Sequence, residues 1–176
     1  MDNDQYKSYA SYNIKKGSQP YKNLYNVVPD MLELDKKHED IYNPETGYFT
    51  NPSARILQEE ISRGTLLKNE TKAEISLIYV VDKEDNIIFG ERINPNNAAQ
   101  RSPHPALMGG KNPEVKCAGI IKFRDKKIYS INNQSGHYKP DIQSLELAEK
   151  ILQALYDANP QFFHEDSKWN KQNNIR

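Results

Sequence analysis

The chain has a single cysteine, Cys117, no long apolar run and no net charge, and each absence removes a class of function. One thiol closes no intrachain disulfide and supplies no multi-cysteine zinc or iron-sulfur site, so a reducing compartment suits the protein best. The histidines His38, His104, His137 and His164 are scattered, no two of them share an i,i+4 helical face, and no metal site is expected. No stretch approaches the roughly 18 consecutive apolar residues of a membrane span. Met1-Asp2-Asn3-Asp4 lacks the basic start and apolar run of a signal peptide, so a soluble protein with no membrane partner is expected. Basic and acidic residues number 24 each and the pI is about 6.9, which leaves no global field to draw nucleic acid or anionic lipid.

What is present fits one α+β domain. The 176 residues suffice for one core, and although the mean hydropathy is -0.88, eleven Tyr, five Phe and one Trp supply large buriable surfaces. Residues 1–22 mix Tyr, Ser, Asn, Gln and Lys without period and are expected to be a disordered or loosely packed tail, followed by the domain over 23–170 and a frayed tail over 171–176.

Periodicity places the elements. Leu24 to Asp40 carries apolar positions suited to short helices interrupted at Pro29, and Asn43-Pro44-Glu45-Thr46-Gly47 reads as a turn. A helix is predicted over Ser53–Arg63, capped by Ser53 and stopped by Gly64. Two β-hairpins follow, the first from Ile75–Val81 and Ile87–Phe89, the second from Val115–Phe123 and Lys127–Asn132 about a turn at Arg124-Asp125-Lys126. A closing helix begins at Pro140 or Asp141 and presents Ile142, Leu145, Ala148, Leu152 and Leu155 on one face. An antiparallel sheet with N-terminal helices and a packed C-terminal helix results, with Phe162, Phe163 and Trp169 tucking back.

The densest chemical signal is Asn132-Asn133-Gln134-Ser135-Gly136-His137-Tyr138-Lys139-Pro140, at the passage from the last strand to the last helix. The N–H groups and positive dipole end of that helix favour an anion, and Ser135, His137, Tyr138 and Lys139 add donors around the sharp turn allowed by Gly136. Imidazole is the side chain suited to proton transfer near neutral pH, so His137 is the natural general acid or base; Tyr138 has a ring fit to stack on a base or nicotinamide. The plainer alternative has Tyr138 covering the core edge and His137 satisfying a loop carbonyl.

The segment 94–113 is too long for a bare connector and holds the second signal, Ser102-Pro103-His104-Pro105-Ala106-Leu107-Met108-Gly109-Gly110-Lys111. Adjacent hairpins would bring His104 beside His137 as an acid–base pair, with Lys111 or Lys122 on a phosphate; a rigid surface histidine between two prolines is the alternative. Gly110-Lys111 is not a P-loop, since Asn112 follows and Pro105 occupies the first glycine position. His104-Pro105 is similar to a Fic signature, but Met108 replaces its acid. Cys117, beside Ala118 and Gly119, reads as a small buried hydrophobe, and Ala118-Gly119 as a place of close backbone approach.

Taken together, Tyr79, Asp82, Asn86, His104, Leu107, Gly109, Ala118-Gly119, Lys127-Ile128, Ile131, Asn133 and Ser135-Gly136-His137-Tyr138-Lys139-Pro140 resemble the "SGHYxP" domain of bacterial polymorphic toxins and secreted effectors, also met in plant calmodulin-binding IQ-motif proteins. The resemblance spans residues 74–157. Ile120 departs from the pattern, where an acid is common, and no IQ segment is present. The resemblance implies an effector or toxin made in a bacterial cytoplasm, exported by a specialised system and acting on a host or target-cell protein. It implies an ADP-ribosyltransferase-like or NAD-cleaving enzyme that uses NAD as substrate and holds no bound cofactor. In that scheme His137 holds the ribose, Tyr138 stacks on nicotinamide, and Ser135, Gly136, Asn133, Lys139, Gly109, Gly110, Lys111 and Tyr79 contribute to substrate binding. Two alternatives stay open: a metal-independent ribonuclease using His104 and His137, and a non-enzymatic module that binds a host protein.

Overall fold

A computed structural model describes residues 19–94 and 97–170. Most of the expected N-terminal tail and the whole C-terminal one lie outside these residues. Packing already begins at Gln19, whose backbone N–H donates to the Lys139 carbonyl at 3.1 Å and whose side-chain amide donates to the Tyr138 carbonyl at 2.6 Å.

The α+β architecture is as expected. Helix α1 (Pro29–Lys36) leads to a short ribbon of β1 (Tyr42–Asn43) and β2 (Gly47–Tyr48), then β3 (Arg55–Ile56) and α2 (Leu57–Arg63). The hairpin of β4 (Glu74–Val81) and β5 (Ile87–Gly90) is followed by a second ribbon, β6 (Ile93–Asn94) and β7 (Asn97–Arg101), and a 3₁₀ turn at His104–Leu107. The hairpin of β8 (Cys117–Arg124) and β9 (Lys127–Ile131) precedes α3 (Ile142–Ala158) and a 3₁₀ turn at Pro160–Phe162. Five strands form one antiparallel sheet in the order β3-β5-β4-β8-β9.

Two boundaries differ from expectation. Pro29 opens α1 instead of interrupting a helix, because its fixed φ suits the first helical position, where an N–H has no intrahelical partner. Ser53 does not cap α2; its hydroxyl donates to Asn51 Oδ1 and accepts the Glu91 N–H, which leaves Arg55–Ile56 to pair with β5 and delays the helix to Leu57. Gly64 ends that helix with φ +69°, as expected. The long segment 94–113 holds regular structure of its own, half of a ribbon and a 3₁₀ turn.

Strand alternation makes the sheet the middle layer. Leu77, Tyr79, Val81, Phe89, Ile121 and Phe123 belong to a core shared with Leu57 and Ile61 of α2, Ala148 and Leu152 of α3, and Phe163 and Trp169. Ile78, Val80 and Ala118 belong to a second core with Tyr25, Met31, Tyr42, Tyr48, Leu107 and Tyr138. The β8–β9 connection is a two-residue loop with both φ angles positive, Asp125 at +51° and Lys126 at +67°, the geometry of a type I′ hairpin turn. No helix of the described residues is long and apolar enough to cross a membrane.

Candidate functional site

Against the sheet, the start of the 3₁₀ turn and the Gly136–His137 turn border a cleft of about 210 Å³. Ser76, Ile78 and Ile120 of the central strands line it, with Ile41, Pro103, Arg92, Arg101, Gln134, Gly136, His104 and His137. The structure therefore brings the two expected histidines to one site.

Their environments are not alike. His104 is buried, its Nε2 lies 2.8 Å from the Gly119 carbonyl, and its Nδ1 lies 3.3 Å from the Ser135 hydroxyl. A carbonyl only accepts, so Nε2 carries the proton and Nδ1 accepts from Ser135. Burial, with His137 and Arg92 nearby, lowers the His104 pKa to about 3 despite its bond to Gly119. The ring is neutral at physiological pH with both nitrogens engaged, so the paired-histidine scheme loses one partner. His104 locks the 3₁₀ turn to β8.

His137 is held by a buried carboxylate. Its Nε2 donates to Asp35 Oδ2 at 2.9 Å, and Tyr48 donates its hydroxyl to the same oxygen at 2.5 Å. Asp35 is fully buried on α1, and a buried carboxylate is tolerated because such donors replace its water. The backbone repeats the clamp, since the Val28 N–H at the start of α1 donates to the His137 carbonyl at 2.8 Å. With Nε2 bound to Asp35, the lone pair of the neutral imidazole resides on Nδ1, the positioned-base arrangement of a histidine–carboxylate dyad.

The cleft's positive charge comes from residues that sequence reasoning passed over. Arg92 and Arg101 stand side by side at the base of the β6–β7 ribbon, where the Ser102 N–H donates to the Arg92 carbonyl at 2.7 Å. Burial and the neighbouring Arg101 lower the Arg92 pKa to about 10, which leaves it a cation at neutral pH. The sequence marks 94–113 only as a long segment and gives no register that would bring Arg101 back to Arg92. Asp35 was missed as well. Its only signal is position: it follows Val27 and Met31 at four-residue steps, on a helix face that is otherwise apolar.

Several expected site residues turn out to build the fold. Tyr138 is fully buried, donates its hydroxyl to the Pro113 carbonyl at 2.8 Å and has its pKa pushed up by burial and by Asp35, so it stacks on no ligand. Tyr79 is equally buried and donates to the Asn132 carbonyl at 2.6 Å, with burial and Cys117 raising its pKa. Ser135 has no exposed surface; besides bonding His104 it accepts the Tyr138 N–H at 3.3 Å. Asn133 is buried and donates to the Pro140 carbonyl at 3.3 Å. Of the turn, Gln134, Gly136 and His137 line the cleft; Lys139 does not, and holds φ +42° while its N–H donates to the Ser135 carbonyl.

Gly109, Gly110 and Lys111 also lie outside the cleft lining. Gly110 pairs with Tyr48, and a Cβ on Gly47 would fall 2.1 Å from the Gly110 carbonyl, so the glycines allow the two backbones to meet. The anion seat at the head of α3 is filled from within: Asp141 Oδ2 accepts the Gln143 N–H at 3.0 Å, and the Asp141 N–H donates to the Tyr25 hydroxyl at 3.1 Å. Cys117 is buried and its thiol is pushed up to about 12 by desolvation, as a small hydrophobe would be. No cluster of metal-ligating side chains occurs among the described residues.

No family model, no curated protein and no solved structure matches this chain.

Proposed function

We propose that the cleft is the active site of an NAD-cleaving enzyme, with His137 as general base. The observation that carries the reading is His137 hydrogen-bonded to the buried Asp35 within a cleft that also holds Arg92 and Arg101. The guanidinium pair suits a pyrophosphate. Ile41, Ile78, Ile120 and Pro103 suit a flat apolar ring such as nicotinamide.

In the reaction, a water molecule or a nucleophilic side chain of a target protein attacks the ribose carbon bonded to nicotinamide. The nucleophile's proton passes to His137, and the breaking C–N bond leaves its electron pair on nicotinamide, which departs neutral. His137 then returns the proton to solvent. Asp35 keeps the ring in the tautomer that accepts on Nδ1 and stabilises the imidazolium formed. Among the described residues no carboxylate lines the cleft, so the scheme uses no glutamate of the kind His–Tyr transferases carry. The resemblance to SGHYxP domains supports an effector- or toxin-like role, with export into a host or target cell and a protein as acceptor.

Purified wild-type protein, His137→Ala and Asp35→Asn are to be incubated with labelled NAD in a eukaryotic lysate, following nicotinamide release and label transfer. Activity in the wild type that falls at least a hundred-fold in His137→Ala and about ten-fold or more in Asp35→Asn is expected. For Asp35→Asn, the pH profile is expected to change shape, since the carboxylate that supports the imidazolium is lost. No release or transfer by a folded wild-type protein would remove the NAD reading. RNA degradation in the same lysate, or capture of a host protein independent of His137, would favour the ribonuclease or the binding module.

A further inference from the structure

The cleft is smaller than its proposed substrate: about 210 Å³ falls below the roughly 300–1,000 Å³ of sites that enclose a drug-sized ligand. It takes one ring with its sugar and phosphate, and the rest of a dinucleotide needs a second compartment. A groove of about 340 Å³ adjoins it, and the two share Ile41 and Ser102 as a common wall. Phe49, Thr50, Pro52, Asp40 and Ala106 complete the groove.

Phe49 is one of three large hydrophobic side chains left exposed among the described residues, at 44%. Its backbone is fixed, since the Phe49 N–H donates to the Ile41 carbonyl at 3.0 Å, so the ring is presented from an ordered position. A flat apolar face beside a carboxylate is the pattern that receives a nucleobase: the ring stacks, and an acid accepts from an exocyclic amine or a ribose hydroxyl. The two compartments together come within the size range of sites for whole ligands.

We infer that this groove is the adenosine subsite, with adenine stacked on Phe49 and Asp40 as hydrogen-bond acceptor, so that the protein selects a dinucleotide over either half. The inference rests on the NAD reading of the adjoining cleft. In this arrangement the pyrophosphate lies near Ser102, between the arginine-bearing cleft and the groove. Phe49 and Asp40 are binding residues, and neither takes part in proton transfer.

Equilibrium binding of NAD, nicotinamide mononucleotide and AMP to the full chain tests it, using wild type, Phe49→Ala and Phe49→Trp. Removing an aromatic stacking partner is expected to weaken NAD and AMP about ten- to a hundred-fold while leaving nicotinamide mononucleotide within two-fold, and Phe49→Trp is expected to retain or improve NAD binding. Equal losses for all three ligands, or no loss for NAD, would overturn the subsite while the catalytic cleft stands. Failure of the wild type to bind any of the three would overturn the NAD reading and this subsite with it. Phe49 is 44% exposed and belongs to neither core, so its removal leaves both cores intact, and an unchanged melting temperature verifies the variant's fold.

Discussion

The two histidines of the cleft sit in opposite environments. His137 is oriented by a buried carboxylate, whereas His104 is held neutral between Ser135 and the Gly119 carbonyl. Neutral burial has a signed consequence. The folded His104 pKa of about 3 lies below its ordinary value of about 6.5, so the unfolded chain binds the proton more readily between those pH values. The stability linked to this group is fully present above about pH 6.5 and is lost progressively as pH falls toward 3, at up to about 1.4 kcal/mol per pH unit. Urea titrations at pH 7 and pH 5 are expected to show wild type losing up to about 2 kcal/mol more than His104→Gln over that interval. Parallel losses in the two proteins would show that His104 carries no such linkage. Both histidines were legible in the sequence, because a titrating side chain in a loop rich in Pro and Gly stands out. Asp35 was not, because a carboxylate in a polar helix is the ordinary solvated case, and only the packing of α1 shows which face it occupies.

Among the elements, β4 and β8 floor the site, and the β8–β9 hairpin shows how close packing substitutes for side-chain volume. A Cβ on Gly119 would sit 2.0 Å from the Asn132 carbonyl oxygen, the same atom that accepts the Tyr79 hydroxyl. Asn132 also binds β8 through its side chain, accepting the Ile120 N–H at 2.9 Å. Gly119→Ala therefore pushes backbone against backbone, and a loss of about 1–3 kcal/mol or more is expected in thermal or denaturant unfolding. A variant as stable as wild type would mean that the strand end yields freely. Ala118-Gly119 announced this approach in the sequence, and the hairpins were legible because β-branched runs alternate with turn residues. The ribbon that brings Arg101, paired with Ile93, next to Arg92 was not, since its register follows from pairing between strands two and five residues long.

Across the whole molecule, the Ser135–Pro140 turn ties the N-terminal segment to the sheet. It receives Gln19 and Val28 through the backbone, Asp35 through His137, and Pro113 through the Tyr138 hydroxyl. Hydrogen bonds and burial explain why Ser, His and Tyr recur so densely there: Ser135 and Tyr138 hold the turn, and the turn holds His137 at the cleft. Leaving one partner of such a buried hydrogen-bonded set unsatisfied typically costs about 1–3 kcal/mol, more where it is charged, which is why Asp35→Asn, rather than a truncation, is the informative change. Periodicity made the α+β class visible and composition the zero net charge, but a local pair of arginines does not register in a charge total.

The most direct test of the account is NMR of the labelled full chain, following the imidazole signals of its histidines and the guanidinium signals of Arg92 and Arg101 as NAD is added. Saturable shifts at His137, Arg92 and Arg101, with His164 unmoved, are the predicted result. Shifts confined to other surfaces, or none at millimolar NAD, would contradict the assignment of this cleft.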